Sequence, residues 1–316
     1  MKLCLAGTEG GEFLGTAMLA GGSSYLASYW HLLYAKGITN RLYLEWMKLY
    51  SLMRDHSFWI MDSGLFTMMF GAGKGNTYTY SDLRAYTDQY IKTMHEIGYV
   101  HTIVEMDIHK VLGPSYLEEF RKPFEDNWGV DRTIFVWHIE EGRENWAKLV
   151  DRYPYVAISV PELRILSKNR NQVKKMVLNL IYEAQQIKPS IKIHLLGNTQ
   201  PDLLEIPGYY TADSTSWLSG GRWGNTYMLH HNKLLKLHIR SQLYKEFETK
   251  HFATFMKRFD NLVRISGIAG MGTKKMENYL FSMYCGAKAF VDYNVWINSR
   301  FFPGDPVVSL ADILGI

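Results

Sequence analysis

Short apolar segments that each run into a polar or glycine residue recur along this chain of 316 residues, and they constrain its fold more than any other feature. Near-continuous apolar runs of this length are typical of strands buried on both faces, as in a parallel sheet. Six of them precede Asp62, Asp107, His138, Ser159, Gly197 and Asp213, at residues 57–61, 101–106, 133–137, 155–158, 191–196 and 208–212.

Helical patterns lie between several of these segments, at residues 80–98, 143–152 and 161–187. Strands that alternate with helices are typical of α/β proteins. With residues 3–6, and a weaker segment at 41–46, the count reaches seven or eight strands, which predicts a (β/α)8 TIM-like barrel with helical elaborations. A doubly wound sheet is the alternative, but no G-x-G-x-x-G motif follows the first segment.

Composition sets the remaining limits. Hydrophobic residues make up 47% and charged residues 21%, so the chain can bury a core and is not disordered. No linker-like stretch divides it, which predicts a single domain over residues 1–316, with a basic helical portion at about 230–316. The two cysteines, Cys4 and Cys285, exclude a disulfide scaffold and a cysteine-built zinc site. No apolar run reaches the roughly 18 residues of a membrane span, so we expect a cytoplasmic protein that binds no membrane.

In parallel barrels the active site lies at the carboxyl ends of the strands. Polar residues also end strands simply because loops begin there, and for any single position that explanation is sufficient. Three aspartates at equivalent ends, Asp62, Asp107 and Asp213, favour a site.

Two longer motifs are more specific. Residues 61–66 read MDSGLF, and residues 194–203 read HLLGNTQPDL before ADSTSW at 212–217. In order and spacing these motifs resemble the tRNA-guanine transglycosylase superfamily over roughly residues 55–225. The resemblance implies a nucleophilic Asp213, with Asp62 in acid/base or supporting work. It also implies that the base is bound by Asp107, Ser63, a stacking Phe66, His138 in place of a glutamine, Ser159 and Gly197.

The chain also departs from that family. Leu65 replaces a second glycine, and the zinc module built from three cysteines and one histidine is missing. Relatives without the zinc module include phage and bacterial enzymes that insert 7-deazaguanine bases into DNA. The resemblance therefore implies that guanine in DNA is exchanged for a base such as preQ0, with no metal or organic cofactor, in the cytoplasm (the host's, if the chain is phage-encoded). A homodimer or accessory DNA-modification proteins are the further partners it allows.

Other reaction classes stay open at this point. The same exchange on tRNA is a close rival, and a non-catalytic barrel subunit that binds nucleic acid is another. A third is a glycoside or nucleoside hydrolase that uses Asp62 and Asp213 with water.

Several outlying segments suit a nucleic-acid partner. Residues 233–275 hold ten Lys and Arg against three Asp and Glu, whereas the whole chain has a net charge of only +4. Such a run is a solvated helical face or a phosphate-binding surface. We expect Lys257 and Arg258 to contact nucleic acid, with Arg222 and Trp223 doing so nearer the nucleophile.

Two other segments are not expected to form sites. Four histidines at 230, 231, 238 and 251 are expected on a helix surface rather than at a metal. Residues 71–76, GAGKGN, are expected to form a loop, since they lack Walker spacing.

Overall fold

The computed structural model describes residues 1–70, 77–198 and 200–301. Eight parallel strands form a closed barrel in chain order, which confirms the predicted (β/α)8 architecture. The strands are β1 (Lys2–Ala6), β2 (Ser24–Ser28), β3 (Phe58–Asp62), β4 (Thr102–Val104), β5 (Thr133–Trp137), β6 (Tyr155–Ser159), β7 (Lys192–Leu196) and β8 (Thr211–Ser214).

Helices follow most strands. They are α1 (Gly11–Leu19), α2 (Arg41–Met53), α3 (Leu65–Phe70), α4 (Tyr80–Glu96), α5 (His109–Leu112), α6 (Leu117–Asn127), α7 (Gly142–Arg152), α8 (Val160–Leu166), α9 (Arg170–Ile187), α10 (Pro201–Leu204), α11 (Ser219–Trp223), α12 (Gln242–Ser266) and α13 (Lys274–Phe301). A two-stranded antiparallel hairpin, β9 (Asn225–His230) and β10 (Lys233–His238), precedes the last two helices. No helix among the described residues is long and apolar enough to cross a membrane.

Two of the sequence predictions for secondary structure are wrong, and one strand was not predicted. Residues 41–46 belong to helix α2, and the second barrel strand is β2, which the sequence analysis missed. Residues 161–187 form two helices, α8 and α9, rather than one. The break falls at Ser167 to Asn169, where the Asn169 side chain caps α9 by accepting from the amides of Asn171 and Gln172.

The chain divides into two compact units. The first comprises Met1–Ala27, Lys36–Trp59 and the described residues from Asp213 onward, and the second comprises Ser28–Ala35 and Ile60–Ala212. The expectation of a single domain, with a basic portion at about 230–316, stays a prediction. That portion is not wholly helical, because β10 lies within it.

In the first unit, α1 packs against α2, α12 and α13. The indole N–H of Trp217 donates to the Ala6 carbonyl over 2.7 Å, and both residues are buried. Gly286 of α13 packs directly against the backbone of Trp217, since a Cβ at Gly286 would lie 2.5 Å from the Trp217 carbonyl oxygen. These contacts fix the segment that follows β8 against the end of β1.

In the second unit, the strands pair in parallel register, with Ile60 opposite Thr102 and Phe135 opposite Val156. All five residues of β5 are buried, which is why the run shows no alternation of polar and apolar residues. Two tyrosines of α4 reach the end of β3: the Tyr90 hydroxyl donates to the Met61 carbonyl over 2.7 Å. The Tyr86 hydroxyl donates to the Ser63 carbonyl over 2.5 Å.

Candidate functional site

The loop after β3 is held in one conformation by Asp62 and Gly64. Asp62 is the last residue of β3, and its Oδ2 accepts a hydrogen bond from the Gly64 amide at 3.0 Å. Gly64 has a φ of +77°, and a Cβ at this position would lie 2.5 Å from both Ser28 Oγ and Trp30 Cβ. Only glycine suits that backbone and that space, so the loop presents Asp62 in a defined position.

The two other motif residues of this loop differ in exposure. Ser63 is buried, at 2% exposure, whereas 71% of the Phe66 surface is exposed at the start of α3. An exposed aromatic face beside a strand-end carboxylate is suited to stacking on a planar ligand. The stacking role of Phe66 stays a prediction.

Asp107 and His138, both predicted site residues, are brought together by β4 and β5. The structure adds His109, which the sequence analysis did not consider. Asp107 Oδ1 lies 2.7 Å from His138 Nε2 and 2.8 Å from His109 Nδ1. The Asp107-x-His109 spacing after an apolar strand is the signal that was available in the sequence.

Glu162, at the first turn of α8, closes the opposite edge of the two imidazoles. Its Oε1 lies 3.1 Å from His138 Nδ1 and 3.2 Å from His109 Nε2, and its Oε2 accepts from the Ile139 amide. We call Asp107, His109, His138 and Glu162 the histidine cluster. Two carboxylates and two imidazoles are therefore concentrated where β4, β5 and β6 end.

In the histidine cluster, the protonation state of each side chain depends strongly on the charges of its neighbours. Burial alone would raise the pKa of Glu162, but its close contacts with the imidazoles of His109 and His138 outweigh this and lower the pKa to about 2. Burial alone would lower the pKa of His138, but the carboxylates of Asp107 and Glu162 outweigh this and raise the pKa to about 10. The pKa of Asp107 falls well below its usual range, against its own desolvation, because of the two histidines. The cluster therefore holds ionised carboxylates across the neutral range.

A buried arginine supports the cluster from behind. Arg121 of α6 is 2% exposed; its Nε donates to Glu105, which follows β4, and its Nη2 donates to the Val136 carbonyl at 2.9 Å. The same guanidinium pairs with Glu141, whose Oε1 accepts from the His138 amide at 2.9 Å. The backbone that carries His138 is therefore fixed by a fully hydrogen-bonded ion network.

Two further predicted residues lie in the second unit. Ser159 is the last residue of β6, half-buried, and Gly197 directly follows β7 with a φ of +60°. A Cβ on Gly197 would lie 3.0 Å from Pro161 Cγ. The fold therefore favours glycine at 197 on backbone grounds, and the base-binding roles of both residues stay predictions.

Asp213 lies in the first unit, as the third residue of the four-residue strand β8, and is 8% exposed. Burial, with a further contribution from the Asp213 charge, raises the pKa of the Cys4 thiol in the same unit. The convergence of Asp62, Asp107 and Asp213 on one pocket stays a prediction.

The predicted nucleic-acid residues are mostly exposed. Arg222 and Trp223 belong to α11, and Trp223 is 76% exposed. Lys257 is exposed on α12, whereas its neighbour Arg258 is half-buried, with Nε out of solvent. Lys257 is thus the better placed of the two for a phosphate.

The four histidines at 230, 231, 238 and 251 are exposed, as expected, but only His251 of these four is on a helix. His230 and His238 are on the hairpin strands. His231 and Asn232 have φ values of 46° and 61°, which are typical of a tight hairpin turn. Residues 71–76, predicted to form a loop, lie outside the described residues.

Comparison with known proteins adds no assignment. A scan of the chain against models of protein families found no match. A search of curated proteins likewise found no match.

Proposed function

We propose that this protein is a nucleic-acid base transglycosylase that exchanges guanine in DNA for a 7-deazaguanine base such as preQ0. The observation that carries the proposal is the position of the motif aspartates in a parallel barrel. Asp62 ends β3, Asp107 follows β4, and Asp213 is next to last in β8. The carboxyl ends of the strands are the face on which barrel enzymes hold their catalytic groups.

Base exchange with retention needs a carboxylate nucleophile and a group that moves a proton. A carboxylate oxygen of Asp213 attacks C1′ of the deoxyribose while the C1′–N9 bond breaks, and its electron pair goes to the departing guanine. Asp62 supplies the proton that the guanine takes up. The entering base then gives its N9 proton to Asp62 and attacks C1′, which breaks the ester bond to Asp213.

Base selection falls to Asp107 and Phe66 in this proposal. The Oδ1 atom of Asp107 faces the two histidines, and about a third of the side chain is exposed. Since Oδ1 itself is buried, the exposed surface belongs to the rest of the side chain. In the proposal, Oδ2 accepts from the ring N–H and exocyclic amine of a guanine-like base. Leaving such a donor unpaired in a closed site costs about 1–3 kcal/mol.

His138 takes a positioning role in the proposal. It has no exposed surface, and its two ring nitrogens face Asp107 and Glu162. It therefore orients the Asp107 carboxylate instead of touching the base. Ser159 and Gly197 remain candidates for backbone contacts to the base.

The test is incorporation of labelled guanine or labelled preQ0 into duplex DNA, single-stranded DNA or tRNA. We expect label in DNA and a covalent protein–DNA adduct that Asp213→Asn abolishes, while Asp260→Asn, an exposed change on α12, retains both. Label in tRNA alone would transfer the proposal to the rival substrate. Base release without incorporation would indicate a hydrolase, and binding without turnover a non-catalytic subunit; each of these outcomes would overturn the proposal.

The charge-based part of the proposal has a separate test. Lys257→Glu should weaken DNA binding and reduce the slope of log affinity against log salt by roughly 1. An unchanged slope would remove α12 from the DNA-binding surface.

A further inference from the structure

Three ligand-type atoms of the histidine cluster face one another without hydrogen bonds. They are Asp107 Oδ1, His109 Nδ1 and His138 Nε2; each is buried and within ion-pair distance, but none makes a hydrogen bond to a described residue, which also holds for His109 Nε2. The two N···O distances are only 2.7 and 2.8 Å. The atoms are therefore close, but the in-plane directions of the ring nitrogens do not meet the oxygen as a hydrogen bond requires.

Such an arrangement is costly if nothing else binds there. A buried polar atom without a hydrogen bond is destabilising, and the attraction between the Asp107 carboxylate and the two imidazoles offsets only part of that loss at three such atoms. A single cation placed among the three atoms would satisfy all of them at once. At a tetrahedral ion with bonds of about 2.0–2.2 Å the ligand atoms lie roughly 3.4 Å apart, so each N···O distance would have to lengthen by roughly 0.6–0.7 Å. The two stacked rings would also have to turn so that both nitrogens face the ion.

We propose that Asp107, His109 and His138 bind a divalent transition-metal ion. Two imidazole nitrogens and one carboxylate oxygen form the ligand set of catalytic zinc sites and of non-haem iron sites. They are not the all-oxygen set that magnesium and calcium prefer. The proposal concerns a property of the barrel itself and does not depend on the transglycosylase reaction.

Glu162 supplies the surroundings that such a site needs. A histidine that binds metal through one nitrogen usually donates its other N–H to a carboxylate, which fixes the ring. Here Glu162 Oε1 forms a hydrogen bond with His138 Nδ1 at 3.1 Å and lies 3.2 Å from His109 Nε2, within ion-pair distance. The nitrogens on the Asp107 edge are thereby the ones left to bind the metal.

The exposure of the three ligands predicts an open coordination position. The side chains of His109 and His138 are 3% and 0% exposed, whereas that of Asp107 is 35% exposed. The protein encloses the metal on the histidine side and leaves the side of Asp107 accessible. Three protein ligands with one accessible position characterise sites that bind water or a substrate group, in contrast to closed structural sites.

The primary experiment measures metal binding directly on the full chain, without nucleic acid. Chelator-stripped protein is titrated with Zn²⁺, and with Co²⁺ for its visible absorption bands, and metal content is then measured after gel filtration. We expect one ion per chain and Co²⁺ bands typical of nitrogen and oxygen ligands. Wild-type protein that retains no metal would overturn the proposal, and so would binding that persists unchanged in His109→Gln and His138→Gln.

Matched variants identify the site even if one of them folds poorly. Glu162→Gln keeps the ligands and should weaken Zn²⁺ binding about 10–100-fold, as loss of an outer-shell carboxylate does. His230→Ala/His231→Ala removes an exposed histidine pair on the hairpin and should leave the tight site unchanged. If this double variant alone abolished binding, the metal would belong to the hairpin and the proposal would fail.

Failure of this proposal is distinguishable from failure of the proposed function. Metal content and Co²⁺ spectra are read without base, DNA or tRNA. A transglycosylase that retains full activity but binds no metal contradicts only the metal site. A metal-binding protein without base exchange contradicts only the transglycosylase assignment.

Discussion

The imidazole rings of His109 and His138 lie face to face, with centroids 3.5 Å apart and planes inclined by 16°. Two protonated imidazoles in this position would repel each other. Asp107 and Glu162 compensate, because each places one oxygen between the two rings, at opposite edges. The stability of this pair therefore depends on which groups carry protons.

The first prediction concerns the pH dependence of stability in the presence of a chelator. The pKa of Glu162 is lowered from 4.5 to about 2, so its stabilisation is complete above pH 4.5 and is lost as the pH falls toward 2. The pKa of His138 is raised from 6.5 to about 10, so its contribution is complete below pH 6.5 and is lost as the pH rises toward 10. The loss of unfolding free energy in Glu162→Gln should be largest between about pH 4.5 and 6.5.

Urea unfolding at pH 3, 5.5 and 9 measures this difference. Glu144→Gln is the control, because Glu144 and its partner Lys148 are both more than half exposed and such pairs contribute about 0–1 kcal/mol. A deficit of Glu162→Gln that stayed constant over the three pH values would show that the cluster does not titrate as described.

The second prediction concerns the buried Arg121. Arg121→Met leaves Glu105, which is 1% exposed, without its cation, and should lower the free energy of unfolding by about 3–5 kcal/mol. Burial already raises the pKa of Glu105 to about 7, against the pull of Arg121. Without the arginine the carboxyl takes up a proton more readily, so the deficit should be smaller at pH 5 than at pH 8.

Arg152→Met provides the comparison, since Arg152 is half-exposed and pairs with Glu118 and Glu125. Its loss should cost no more than about 1 kcal/mol. Equal deficits for the two arginine variants would contradict a special role for the buried network.

The third prediction separates two costs of replacing a glycine: the strain of a positive φ and the lack of space for the added Cβ. Gly64→Ala and Gly98→Ala both place a side chain at positive φ, at +77° and +65°, but only at Gly64 is the Cβ position occupied. We expect Gly98→Ala to cost about 1–2 kcal/mol from backbone strain. Gly64→Ala should cost a further 1–3 kcal/mol, roughly, from overpacking against Ser28 and Trp30. Thermal and urea unfolding would show the order, and a reversed order would mean that the loop can relax.

The fourth prediction concerns Phe66. Because it is 71% exposed, Phe66→Ala should change the free energy of unfolding by less than about 0.5 kcal/mol. If it stacks on the base, as proposed, the same change should raise KM for the base by roughly 10–100-fold, since a base–aromatic stack contributes about 1–3 kcal/mol. Leu65→Ala is the opposite case: Leu65 is 1% exposed, and its loss should destabilise the fold by about 2–5 kcal/mol. Unchanged kinetics in Phe66→Ala would remove the stacking role.

The barrel could be predicted from the sequence because its strands are buried on both faces. Such strands show as uninterrupted apolar runs, and β5 was predicted to the residue. Residues 41–46 were misassigned because Leu42, Leu44 and Trp46 alternate with polar or aromatic residues as a strand's would. In helix α2 these residues fall on different faces: Leu44 is exposed, whereas Trp46 is buried together with Leu49. The Asn40 side chain, which accepts from the Tyr43 amide, marks the start of that helix.

The candidate site was predictable only in part. Asp62, Asp107 and His138 were identified because each follows an apolar run. His109 and Glu162 were missed because each lies a few residues further on, in a short helix, where no apolar pattern marks it. Their proximity depends on the pairing of β4 with β5 and of β5 with β6. Asp107 and Glu162 are 55 residues apart in the sequence, and no local pattern indicates that strand pairing brings them together.

The composition of the first compact unit has a consequence for biosynthesis. Its parts come from three separated stretches of chain, and the last begins at Asp213. During translation, the second unit is available as a nearly continuous segment well before the first is complete. Helix α1 can pack against α2 early, but the surfaces of β1 and α1 that α12 and α13 cover stay exposed until those two helices leave the ribosome. This interval is when chaperones would be needed most.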